Sequence, residues 1–165
     1  MTTGHWEEFT DRAWVASRPA AAGLALCLLA GLLLGTVPGS AAATSSTTDA
    51  VVRSAMVQVV EKQIAAFRRD DAQAAFSFAG PAIQRRFGTA EAFIDMVRRD
   101  YAPVYRPRSV LFLDVDTRGG PPLLRVSLIG PDGGRWQATY IMSRDARGRW
   151  RIEGCTLIRL PGSTA

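Results

Sequence analysis

The chain has 165 residues, 47% of them apolar, which is room for one packed domain and a short appendage. Its net charge of +5 comes from twenty basic residues, of which Lys62 is the single lysine. An arginine bias of that kind is what GC-rich coding yields, so basicity alone does not argue for a nucleic-acid partner. The two cysteines, Cys27 and Cys155, fall in segments that processing is expected to separate, which excludes an internal disulfide in a mature chain.

Residues 20–37 read AAAGLALCLLAGLLLGTV, without a charge, and are followed by Pro38-Gly39 and the small residues Ser40-Ala41-Ala42-Ala43. Apolar core, helix breaker and Ala-x-Ala site are the order of a secretory signal peptide, here residues 1–43 with cleavage after Ala43. Acidic Glu7, Glu8 and Asp11 before the run depart from that pattern, and the run reaches the ~18 residues needed to span a bilayer. An uncleaved inner-membrane anchor, tethering the protein through residues 20–37, is therefore the alternative. Arg18 ahead of the run stays in the cytoplasm in either case and sends the rest outward. The expected location is periplasmic or secreted. Cys27, followed by Leu28, is not placed as a lipid-acylated cysteine. Residues 44–49 (TSSTTD) are expected as a linker, 50–161 as the domain and 162–165 as a tail.

Val52, Met56, Val59, Val60, Ile64 and Phe67 recur at spacings of three and four and predict a helix over 50–69, with Asp49 as its N-cap. A short helix is expected from Asp71 to Phe78, ended by Gly80-Pro81, then a turn over 81–87 closed by Gly88. A third helix starts after Thr89, presents Phe93, Ile94, Val97 and Tyr101 on one side and is stopped by Pro103. The pairs Arg68-Arg69, Arg85-Arg86 and Arg98-Arg99 could suit phosphate. Each pair, however, falls in a predicted last helical turn, where the dipole favours a cation, and no nucleic-acid motif accompanies them.

From Ser109 the period changes to two. Four strands are expected around Leu111–Asp116, Leu124–Leu128, Trp136–Met142 and Arg149–Leu160, separated by Gly119-Gly120-Pro121-Pro122, Pro131-Asp132-Gly133-Gly134 and the turn 144–148. Short turns make this an antiparallel meander. Matching apolar positions across the last turn pairs Met142 with Trp150, Tyr140 with Ile152, Ala138 with Gly154 and Trp136 with Thr156. That register turns Cys155 away from the helices, to the side carrying Phe112, Ile129 and Ile141. The fold class is α+β: three N-terminal helices packed on a curved four-stranded antiparallel meander.

Several residues in this pattern carry a resemblance. In the helices they are Gln63, Ala66-Phe67, Asp70-Asp71, Ala75-Phe76, Pro81, Ile83, Phe87-Gly88, Phe93, Met96-Val97 and Tyr101. In the strands they are Trp136, Ala138, Tyr140 and the closing Gly148-x-Trp150-x-Ile152-x-Gly154-Cys155. From about Val51 to Leu160 the chain resembles the nuclear-transport-factor-like, or cystatin-like, superfamily of cone-shaped folds. More closely it resembles a bacterial family catalogued only as a domain of unknown function. The resemblance implies the fold and a homodimer formed through the sheet; it brings no catalytic residue.

The single histidine is His5, ahead of the expected cleavage site, so a mature domain has no imidazole. Cys155 then lacks the usual base of a thiol nucleophile, and Cys/His zinc sites are excluded; no metal or cofactor is expected. A lone exported thiol could still pair between molecules. Asp95 is one helical step from Arg98, Asp114 and Asp116 share a strand side with Arg125, and Asp70-Asp71 stands at a helix start, so each carboxylate has a structural role at hand. Gln63 on the apolar stripe and Tyr140 on the inward strand face fit less comfortably, because a buried amide needs partners. The simplest are a backbone group or the Tyr140 hydroxyl. The functional alternative is a small pocket lined by Gln63, Tyr101, Trp136 and Tyr140. The expected function is an exported, non-catalytic module binding a small molecule or an envelope protein. The alternative is a cone-pocket lyase or isomerase using a carboxylate with Tyr140 or Tyr101.

Overall fold

The computed structural model describes the backbone over residues 41–162 and side chains over 48–162. The apolar segment 20–37 and His5 lie outside the described residues. Five helices precede four strands: α1 Ala41–Arg68, α2 Ala72–Ser77, α3 Pro81–Phe87, α4 Ala90–Asp100, α5 Ala102–Tyr105, β1 Ser109–Asp116, β2 Leu123–Ile129, β3 Arg135–Arg144 and β4 Trp150–Arg159. Among the described residues no helix is long and apolar enough to cross a membrane.

The helix count is five where three were expected. The stretch read as a turn over 81–87 is a helix, started by Pro81 behind the extended Gly80 and closed by Gly88 at φ 70°. Helix α4 ends at Asp100, before Pro103 as expected, but Pro103 then belongs to a further short helix, α5. It sits in the first turn of α5, where its missing N–H is no loss. Helix α1 also runs back through Thr44–Asp49, the expected linker, so Asp49 lies within the helix instead of capping it. Two expected caps are present: the Asp71 carboxylate accepts from Ala74 N at 2.9 Å and the Thr89 hydroxyl from Ala92 N at 3.2 Å.

The sheet is antiparallel throughout with order β1-β2-β3-β4. Its inward side chains, including Leu124, Val126, Leu128, Ala138, Tyr140, Met142 and Ile152, meet Met56, Val60, Ile64 and Phe67 of α1 in one core. Phe67, Phe76 and Phe87 cluster around Phe93, with ring centroids 5.4–6.1 Å from its own.

The register of the last hairpin differs from the expected one. Asp145 fixes the turn: its N–H donates to Arg149 O at 2.9 Å, and its carboxylate accepts from Arg147 N and Arg149 N. Arg144 therefore pairs with Trp150, and Met142 with Ile152. The ladder then skips Glu153, so that Ile141 pairs with Gly154, Tyr140 with Cys155, Ala138 with Leu157 and Trp136 with Arg159. One extra residue reverses which face the following side chains take. Cys155 consequently shares the inward face with Tyr140, and the expectation that it faces outward is overturned. A second irregularity lies between Phe112 and Val115; it puts Phe112 opposite inward Val126 and leaves Leu111 61% exposed. Phe112 thus belongs to the inner face, not the outer one.

Candidate functional site

Between the sheet and the helices lies a cavity of about 30 Å³, enough for about one or two waters. Helices α1, α3, α4 and α5 supply its helical wall, with Gln63, Met96 and Tyr101 among the lining residues. Strands β3 and β4 supply Tyr140, Ile152, Gly154 and Cys155. Ten of the twelve lining residues are buried; Met96 and Cys155 alone are half-exposed, so the wall meets solvent beside these two.

Of the four residues expected to line a pocket, the fold brings together three: Gln63, Tyr101 and Tyr140. Trp136 is not in the lining. It lies toward the other end of β3, opposite Arg159, whose guanidinium stacks over the indole at 5.4 Å. The residues that sequence reasoning missed are Cys155 and Met96. The available signal for Cys155 was Gly154 in mid-strand, since an interior glycine is a mark of a bulge.

Gln63 has the backbone partner expected for it: its Nε2 donates to Ala75 O at 3.2 Å, tying α1 to α2. Tyr140 is different. It is 1% exposed, and its hydroxyl completes no hydrogen bond. Leaving a polar group buried in that state costs about 1–3 kcal/mol. Cys155 stands directly across the ladder, and its Sγ approaches Thr156 O at 3.9 Å. Burial pushes the Cys155 thiol up to about 12, against a small lowering by the Tyr140 hydroxyl. Burial also raises Tyr140 well above the ordinary phenol range, and the Cys155 thiol adds to it by standing close enough to the hydroxyl to serve as a weak sulfur partner, the one polar group of the protein beside it. Tyr101 is raised chiefly by burial, then by Cys155 and Asp100. At neutral pH all three groups are uncharged. Burial of this kind disfavours the thiolate, the form a cysteine nucleophile needs.

No lining residue is Asp, Glu, Lys or Arg. The carboxylates weighed as bases are committed at the surface. Asp114 takes Arg125 at 2.5 Å, Asp95 takes Arg98 at 3.0 Å and Asp116 takes Arg118 at 3.5 Å. Asp70, at φ 57° after α1, accepts the Tyr105 hydroxyl and an Arg106 guanidinium at 2.6 Å, with Arg98 at 3.7 Å. Those contacts, the Tyr105 bond first, hold its carboxyl below the usual range. Among the described residues no group of three or more His, Cys, Asp or Glu is placed to hold a metal.

A chain of this architecture is an α+β domain with a small, uncharged cavity under its sheet. The sequence profile of the family described as Domain of unknown function (DUF4864) matches residues 50–165, more than half of the chain, and the chain belongs to that family. No curated protein and no solved structure matches it.

Proposed function

We propose that the domain is a non-catalytic binding module of the cone-shaped, nuclear-transport-factor-like kind, taking a small molecule in the cavity beneath β3 and β4. The observation that carries this reading is the Tyr140 hydroxyl, fully buried, on the cavity wall and met by no oxygen or nitrogen partner, only by the weak Cys155 sulfur. A fold that tolerates such a group has a use for it more readily than a structural need. The lyase or isomerase alternative requires a carboxylate in the cavity, and the lining has none. Amide shifts of the full chain against a mixed fragment library test the proposal. Saturable shifts centred on Tyr140, Gly154 and Cys155 are expected; shifts confined to other surfaces would reject it.

Export is proposed on the apolar run and small-residue site of residues 20–43. N-terminal sequencing of the native protein should read from Thr44, and an intact Met1 in a soluble cytoplasmic product would contradict it. Self-association through the outer sheet face is proposed on the exposed Leu111 and Ile158, at 61% and 55%. Light scattering at micromolar concentration should give a dimer, and a clean monomer removes the idea.

A further inference from the structure

The chemistry of the cavity wall restricts what the site can take, and the restriction rests on the binding reading above. Neutralising an ionic guest needs an opposite charge in the wall, and apart from the tyrosines and the thiol the one polar side chain there is the uncharged Gln63. That amide already gives an N–H to Ala75 O. A buried carboxylate or ammonium would thus lose its hydration and find no opposite charge, which makes its transfer strongly unfavourable. The Cys155 thiol leans on the Thr156 carbonyl, so it is a poor second donor. The strong donor left inside is the Tyr140 O–H, kept protonated by its surroundings and facing, among protein groups, only the Cys155 sulfur, a weak acceptor. Around it the wall is hydrocarbon and aromatic ring: Phe67, Ile83, Phe93, Val97, Val104 and Ile152.

We infer that the site takes a small uncharged molecule, mostly hydrocarbon, that presents one hydrogen-bond acceptor such as a carbonyl oxygen to the Tyr140 hydroxyl. The inference joins two observations, the orphaned hydroxyl at 1% exposure and a lining free of ionisable carboxylates and cations. The free space of about 30 Å³ is below the size of such a guest, so the wall must give. Met96 is the lining side chain best suited to give. It is half-exposed at the solvent side of the cavity and unbranched, and a thioether chain changes rotamer at little cost.

The test uses the full chain and three ring-matched probes: cyclopentanone, cyclopentanecarboxylate and cyclopentylammonium, each titrated while the Gly154 and Cys155 amides are followed by NMR. The ketone should shift both amides saturably, and the two ions should not. Tyr140→Phe should weaken the ketone about fivefold, the worth of one ordinary hydrogen bond, and Met96→Ala should tighten it by opening the wall. Ketone binding unchanged in Tyr140→Phe would overturn the role given to the hydroxyl. Ions binding at these amides as well as the ketone would overturn the ligand class and leave the cavity reading standing. If no probe reaches these amides, in the wild type or in Met96→Ala, the class and the cavity reading fall together.

Discussion

Two buried tyrosines, Tyr105 of α5 and Tyr140 of β3, have opposite surroundings. Tyr105 is 5% exposed, and its hydroxyl donates to Asp70 while accepting from Arg98 Nε and Nη2 at 3.2 and 3.1 Å. The guanidiniums of Arg98 and Arg106 also cover its ring, each at 5.3 Å. Tyr140 is buried more deeply, at 1%, and its hydroxyl has no hydrogen bond. The first phenol is consumed by the fold, fastening the α1–α2 corner to α4 and α5. The second has only the weakly accepting Cys155 sulfur beside its oxygen, which is what marks it as available to a guest. Burial alone does not separate a structural polar group from a functional one; its partners do.

That contrast can be broken at its shared wall. Phe67 is 1% exposed, faces the Tyr105 ring at 5.9 Å and also lines the cavity beside Tyr140. Phe67→Ala should lower stability by about 3–5 kcal/mol, read as a drop in the urea midpoint. A loss under about 1 kcal/mol would mean that this ring is not packed between the two tyrosines as described.

A sharper test removes one oxygen at a time. Tyr105→Phe should destabilise by about 1 kcal/mol, at the low end for bonds to charged groups because Asp70 and Arg98 are half-exposed and rehydrate. Tyr140→Phe should raise stability by about 1 kcal/mol, since it deletes a buried hydroxyl that has no partner. Thermal melts of the two variants should move in opposite directions. Movement of both downward would show that the Tyr140 hydroxyl is structurally engaged after all.

The smallest effect is expected at the turn that sets the β3–β4 register. Although burial pushes Asp145 up, the Arg149 and Arg147 amides and the Arg151 and Arg149 guanidiniums outweigh it and hold its carboxyl at about 2. An unfolded aspartate titrates near 3.9. The folded pKa is the lower of the two, so Asp145 stabilises the fold above about pH 4 and that support is lost as pH falls toward 2. Asp145→Asn should flatten the acid limb of a stability–pH curve between these values. An unchanged limb would remove Asp145 from the account of the turn.

Much of this was legible along the chain. The spacing of Met56, Val60, Ile64 and Phe67 gives the buried side of α1, Thr89 and Asp71 give two helix starts, and the glycine- and proline-rich breaks give four strands in an antiparallel order. The pairings of Asp95 with Arg98 and Asp114 with Arg125 were equally readable. Three of the four expected pocket residues line the cavity, because Gln63, Tyr101 and Tyr140 are fixed by helix and strand period before any bulge intervenes.

By itself, the sequence determined the four strands and the helical segments that became α1, α2 and α4, and that one face of each is buried, because periodicity and turn chemistry act over a few neighbouring residues; the short α3 and α5 lay below what that period shows. Only the tertiary structure decided that Cys155 looks inward beside Tyr140. That outcome depends on Asp145 setting the turn and on Glu153 being skipped in the ladder, and a single-residue slip reverses every later side chain. Alternation along one strand carries no record of such a slip, since the partner strand and the helices above it choose the register that buries the most apolar surface.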